Sequence, residues 1–402
     1  MTRRSPIPLL ERGPLRVLFL ETEMNVGGEE ILLAEIIRRM DRERFAPELG
    51  CLKQLGSLGE QLADEVPTHH HLLAHKYDVR VVGRLARLIR DRGIDAMVTV
   101  GVGDKMFWGR LAAWRAGTPV ILSAIHSMSN LYRLRRANRL LAPLTDAFIA
   151  VSPLQARDMA ANQGCPAAKI RVVPNGVDVQ RFQPRSINIA LRRELGIPPD
   201  APVAGLIAVL RPEKNHELFL RVAARVRETL PEAHFLIVGD GALEAQLKAR
   251  ADTLGLRDSA HFLGRRQDVP AVLAAMDLFL LTSDTEANPV SILEAMACGK
   301  AVVASDVGSV SDSVLDGQSG LLSAPGDLEQ FVAHVTRLLS DPQQLAAMGQ
   351  LGRQRVAERF SVETMVRGYE DLIEAVYRAK CGEDFPALAL EQDAPLHDLA
   401  AR

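Results

Sequence analysis

Short apolar runs alternate with amphipathic stretches along most of this chain. The first series of predicted strands is Arg16–Leu20, Ala96–Val100, Val120–Ile125, Ala147–Val151 and Ile170–Val173. A second series follows: Val203–Leu210, Phe235–Val238, His261–Leu263, Leu278–Leu281 and Ala301–Ala304. Continuous apolar runs this short suit strands buried on both faces of a parallel sheet. Between them the period lengthens to that of a helix, as at Leu218, Val222, Ala223, Val226 and Leu230. Two successive βα series predict an α/β protein of two doubly wound, Rossmann-like parallel-sheet domains. The polar, Pro-containing stretch from Arg185 marks the boundary, giving domains over 1–185 and 186–361. A further amphipathic helix over 362–381 is expected to return to the first domain. The acidic, aperiodic tail 382–402 is expected to be disordered.

Composition changes this picture little. At 402 residues, with 47% apolar and 24% charged residues, the chain is an ordinary two-domain globular protein. Phe, Trp and Tyr make up only 4%, which argues against base stacking and hence against a nucleic-acid partner. Cys51, Cys165, Cys298 and Cys381 form no CxxC pair, so neither a zinc cluster nor a disulfide frame is indicated, and a reducing cytoplasm fits. The N-terminus lacks the apolar core of a signal peptide, and no run has the length of a membrane span. Charge adds an asymmetry. Residues 1–185 hold 27 Lys+Arg against 19 Asp+Glu, a balance of +8, and the remainder holds 21 against 31, a balance of −10. A basic first half suits an anionic membrane surface or phosphorylated lipid, and unequal solvated surface is the plain alternative.

Candidate chemistry concentrates at predicted strand ends. Thr282 to Gly308 is the richest stretch: a strand stops, a Pro-bearing turn follows, and a helix starts, with Glu286 and Glu294 eight positions apart. A helix N-terminus attracts anions, whereas an ionised carboxylate is a pure acceptor suited to sugar hydroxyls. The stretch therefore reads as a site for a phosphate and a polyol together. Gly27 and Gly28 precede a helix and allow close approach of a ligand, although many such turns carry glycine for geometry alone. His126 ends a strand and opens the loop HSMSN. Its imidazole suits a sugar hydroxyl or a leaving-group oxygen, or else a structural role. Arg211 and Lys214, in RPEKNH, suit a diphosphate, or else are solvated loop cations. Gly239 lies in a turn that either borders a nucleotide or is simply tight. His69, His70, His71 and His75 cluster, but consecutive strand residues face opposite ways and no carboxylate or cysteine stands at ligand spacing, so a metal site is not expected. The basic stretch Arg133–Arg139 is either a headgroup-docking helix or a solvated face.

Taken in order, Gly27-Gly28, His126, Pro174-Asn-Gly-Val-Asp178, Arg211–His216 and the Glu286-x7-Glu294 segment resemble the retaining glycosyltransferases of sequence family four, which have the GT-B fold. The resemblance covers nearly the whole chain. It implies a nucleotide-activated sugar bound mainly by the second domain, an acceptor bound by the first, and transfer in a cleft with retention and without a required metal or other cofactor. The implied activity is hexosyl or N-acetylhexosaminyl transfer in polysaccharide biosynthesis; the basic first half and Arg133–Arg139 motivate a lipid-linked or cell-surface acceptor and an enzyme peripheral to the inner face of the membrane. Lys214 and Arg211 would then meet the diphosphate, Glu286 the donor sugar, Glu294 the ribose, and His126 the transferred sugar. Gly27, Gly28, Gly239, Asn288 and Val290 would complete the donor site. The chain departs from the pattern at Val209, where the family usually has arginine, at Ala287, and at Gly308-Ser-Val-Ser-Asp312. Arg211 is a stand-in for the missing arginine if the segment stays extended, because i and i+2 then point the same way. A catalytically weak sugar-nucleotide-binding protein acting through partners is the alternative that Val209 raises.

Overall fold

The computed structural model describes residues 7–9, 12–75, 78–101, 103–126 and 132–383. Residues 127–131, which include the remainder of the HSMSN loop after His126, and the tail from 384 onward lie outside the described residues. The chain divides into two units, Met1–Pro174 with Met365–Arg402, and Asn175–Thr364.

The first unit is built on a seven-stranded sheet: β1 Leu15–Glu21, β2 Phe45–Cys51, β3 Thr68–His69, β4 Ala96–Val100, β5 Val120–Ile125, β6 Ala147–Ala150 and β7 Ile170–Val172. The strand order is β3-β2-β1-β4-β5-β6-β7, and each pairing is parallel. The second unit carries β8 Val203–Ile207, β9 His234–Val238, β10 Ala260–Phe262, β11 Leu278–Leu281, β12 Ala301–Ser305 and β13 Gly320–Ser323, in the parallel order β10-β9-β8-β11-β12-β13. The strands are apolar because helices cover both faces: Val98, Leu122 and Phe148 are fully buried in the first sheet, and Leu206, Phe279 and Val302 in the second. In each sheet the strand order reverses direction once, between β1 and β4 and between β8 and β11. Ligand sites of open α/β sheets lie at the carboxyl ends on either side of such a reversal.

Three strands escaped the sequence reading. β2 (FAPELGC) contains Pro47 and Glu48, which disguise an interior strand. Glu48 is buried there because Arg16, Arg92 and His69 all bond its carboxylate, at 2.6, 3.0 and 2.8 Å. This also corrects the view of the histidine cluster: His69 does have a carboxylate partner, reached through strand pairing. Among the described residues no three His, Cys, Asp or Glu side chains group as a metal site. β3 has two residues, and β13 is short and begins with glycine. The predicted strand over Val203–Leu210 stops at Ile207.

The division between units falls earlier than the sequence boundary near Arg185. Asn175 donates to the Asn288 carbonyl at 2.9 Å, Val177 bridges Ser361, and Phe182 is buried in the core of the second unit. Helix Val362–Cys381 crosses the division after Thr364. Within the first unit it is held by Glu370, which accepts the Asp41 amide at 2.7 Å, and by Lys380, paired with Asp146 at 2.8 Å.

Candidate active site

The second unit assembles its site from the two loops that leave β8 and β11. After Ile207 the chain bends: Ala208 N–H donates to Val238 and Leu210 N–H to Asp240, and the Arg211 amide bonds the Val209 carbonyl at 2.8 Å. That last bond closes a three-residue turn, so the segment 209–211 is not the extended one that the stand-in role of Arg211 presupposed. Arg211 is 67% exposed, and the nearest carboxylate is that of Glu213, 3.9 Å away. Gly239 adopts φ +140°, and a Cβ there would stand 2.0 Å from the Ala208 carbonyl oxygen. Close backbone packing is reason enough for this glycine.

Pro212–Lys214 forms one 3-10 turn, and Asn215 then takes the left-handed conformation (φ 45°). Asn215 caps helix His216–Thr229 by accepting the Leu218 amide at 3.1 Å, while its own amide donates to Asp284 at 2.8 Å. The Asp284 amide returns a bond to the Glu213 carbonyl at 2.9 Å, and the Thr282 hydroxyl donates to the Asn215 carbonyl at 3.0 Å. Residues nearly seventy positions apart are thereby stitched into one platform. On it Lys214 Nζ donates to Glu286 Oε1 at 2.5 Å, and Ser283 Oγ donates to the same oxygen at 2.7 Å. The Lys214 side chain is 24% exposed and that of Glu286 7%. His216 is buried beside them, and desolvation together with the Lys214 charge lowers its pKa to about 4. Its imidazole is neutral near pH 7, so Lys214 stands without a second cation at that position.

Behind Glu286 the backbone is tightly fitted. Gly308 has φ +55°, and a Cβ on it would lie 1.6 Å from the Glu286 carbonyl oxygen. Asn288 is buried and donates to Ser313 Oγ at 3.4 Å. The side-chain oxygens of Asn175 and Asn288 have no protein partner among the described residues. Val290 opens helix Val290–Ala297, whose first turn contains no acidic residue, so its positive end is not countered from within. Glu294 lies one turn further along. It is half-buried at its surface, yet protein packs around its carboxyl closely enough for desolvation to raise its pKa to about 7, against the opposing charge of Arg181.

The first unit holds Gly27, Gly28 and His126. Gly27 is the N-cap of helix Gly28–Arg39 in extended backbone, and a Cβ there would meet the Glu30 carboxylate at 2.3 Å; Gly28 faces open space. Glu29 and Glu30 occupy the first helical turn, which disfavours an anion at this helix end. Three residues the sequence reading passed over converge nearby. Lys105 bonds both Glu21, the last residue of β1, and Glu29, the latter at 3.3 Å. Burial drives the Glu21 carboxyl upward in pKa. Tyr369 brings its hydroxyl to 3.3 Å from Nε2 of His126. The available signal for Glu21 was a carboxylate directly after the apolar run Val17–Leu20.

Helix Tyr132–Leu141 forms where the basic stretch was read; Arg136, Arg139 and Leu140 are exposed, the last at 70%. Among the described residues no helix is long and apolar enough to cross a membrane. The four cysteines are free thiols.

Comparison with known proteins agrees with this geometry. The family model for glycosyl transferases group 1 matches residues 188–355, and that for glycosyltransferase family 4 matches residues 26–181. The chain is 30% identical over 347 residues to the D-inositol 3-phosphate glycosyltransferase of Segniliparus rotundus, covering 84% of this chain and 72% of that protein. It is 28% identical over 364 residues to the UDP-Gal:alpha-D-GlcNAc-diphosphoundecaprenol alpha-1,3-galactosyltransferase of Escherichia coli, covering 86% and 93%. The crystal structure of HepE from Anabaena in complex with UDP and glucose superposes with a TM-score of 0.78 at 23% identity, covering 90% of this chain and 100% of that one. With two parallel α/β units and both family models matched in sequence, the chain belongs to glycosyltransferase family 4 and is a glycosyltransferase of the GT-B fold.

Proposed function

We propose that this glycosyltransferase moves a sugar from a nucleotide-diphosphate sugar to a lipid-linked or cell-surface polysaccharide acceptor, with retention of anomeric configuration. The observation that carries the donor assignment is the Lys214–Glu286 pair at the reversal of the second sheet. A lysine cation held beside a carboxylate suits a diphosphate and sugar hydroxyls together, and this supports the reading. Developing charge on a leaving diphosphate is stabilised by a fixed cation and by a helix end free of acids, and Lys214 and the start of helix Val290–Ala297 supply both. Glu286 faces the donor sugar and favours its oxocarbenium-like transition state. Glu294 accepts from the ribose hydroxyls. His126 contacts the transferred sugar. In this reading the departing phosphate takes the acceptor proton, so no protein base is assigned, and no metal or other cofactor is required.

Two relatives point to the donor and acceptor classes. The Escherichia coli enzyme is named for UDP-Gal and a diphosphoundecaprenol acceptor, and one from Mycolicibacterium smegmatis for GDP-mannose and a phosphatidylinositol monomannoside. The exposed Arg136, Arg139 and Leu140 suit an anionic membrane surface on the cytoplasmic side. The test is transfer from UDP- and GDP-sugars to extracted acceptor lipids, with the anomeric configuration of the product read by NMR. Retained configuration and flotation with anionic liposomes at moderate salt are expected. An inverted product sinks the retaining mechanism, and absence of flotation removes the membrane clause.

A further inference from the structure

The inner face of helix Val362–Cys381 is an apolar stripe, with Val362, Met365, Val366, Tyr369, Leu372, Ile373 and Tyr377 buried. Tyr369 is 1% exposed. A leucine or phenylalanine would fill that position equally well, and a hydroxyl placed there incurs desolvation unless it finds a partner. Its partner is Nε2 of His126 at 3.3 Å, 243 positions away in sequence. The phenol remains un-ionised, since burial, and then the nearby Glu29 charge, push its pKa well up. It therefore meets the imidazole as a neutral hydroxyl.

We propose that Tyr369 is a positioning residue for His126. A ring bonded at one nitrogen is restrained in rotamer and plane, and the tautomer follows from which partner donates. Tyr369 itself does not touch substrate. The helix that carries it is fixed within the first unit by two contacts beyond Tyr369: Glu370 accepts the Asp41 amide, and Lys380 pairs with Asp146. The same support that anchors the helix thus sets the orientation of His126. This inference rests on the reading that His126 contacts the transferred sugar.

The experiment is a double-mutant cycle of Tyr369→Phe and His126→Ala in the full-length enzyme, with nitrogen-15 shifts of the His126 ring as a second readout. Phenylalanine retains the packing, so the thermal midpoint is expected to hold within a few degrees. Losing one neutral hydrogen bond should lower kcat about 3- to 10-fold with donor KM within twofold. In the His126→Ala background Tyr369→Phe should add no further loss, and the ring-nitrogen shifts should move in the single Tyr369→Phe variant. An equal loss in both backgrounds, or unchanged kcat with unchanged ring shifts, overturns the proposal. Wild-type turnover in His126→Ala would instead overturn the role given to His126 in transfer, and the ring shifts would then judge the contact by themselves.

Discussion

Glu286→Gln should tighten binding of a nucleoside diphosphate while it slows transfer. Lys214 Nζ and Glu286 Oε1 are 2.5 Å apart, with the carboxylate 7% exposed and the lysine a quarter exposed. At an effective dielectric near 20, two unit charges at that separation attract by about 7 kcal/mol before desolvation is counted. The net value of a charge-assisted hydrogen bond is nearer 1.5–3 kcal/mol. A diphosphate that recruits Lys214 competes with Glu286 for it. The glutamine amide still accepts a bond, so about 1–2 kcal/mol of that competition disappears, or roughly 5- to 30-fold in Kd. Calorimetric titration with UDP and GDP checks the binding arm. Transfer should nevertheless fall at least about tenfold, since the carboxylate that supports the transition state is gone. Lys214→Met should weaken binding, cut transfer by about 10²–10³, and leave the buried carboxylate with Ser283 as its side-chain partner among the described residues, a cost on the order of 1–3 kcal/mol. The double variant should recover part of that stability. Unchanged or weaker UDP and GDP binding in Glu286→Gln, together with unchanged turnover, would refute the reasoning.

Two further outcomes are expected. Burial raises the Glu294 carboxyl to about 7 from 4.5, so the native state holds its proton more tightly than the unfolded chain does. The associated stability is fully present below about pH 4.5 and is lost as pH rises through 7, by up to about 3 kcal/mol. Donor affinity should run the other way, increasing through pH 7 as the carboxylate becomes a pure acceptor; Glu294→Gln should flatten both profiles in thermal-melt and binding titrations. Gly308→Ala should drive a methyl into the Glu286 carbonyl, 1.6 Å from the ideal Cβ, and place alanine at φ +55°. At least a tenfold fall in kcat is expected, with a stability loss of a few kcal/mol read from denaturant melts.

The chain's own pattern determined a good deal. Doubly buried strands such as Leu278–Leu281 are legible because both faces require apolar residues. The alternation with helices forces parallel sheets, and their carboxyl ends then single out Lys214, Glu286 and His126 as residues of interest. Interior strand β2 was hidden because it carries Pro47 and Glu48, and Glu48 is tolerated there only through Arg16 and His69 on the neighbouring strands and Arg92 on a helix. The turn at 209–211 was not legible because a turn closed by one backbone bond leaves no compositional trace. Only tertiary structure decided which of the candidates meet. β8 and β11 lie far apart in sequence but adjacent at the sheet reversal, so Lys214 and Glu286 share one platform. In the same way, the return of the final helix brings Tyr369 to His126. Periodicity reports which face of an element is buried. It carries no information on which strand becomes its neighbour, because pairing is settled by the packing of the whole sheet.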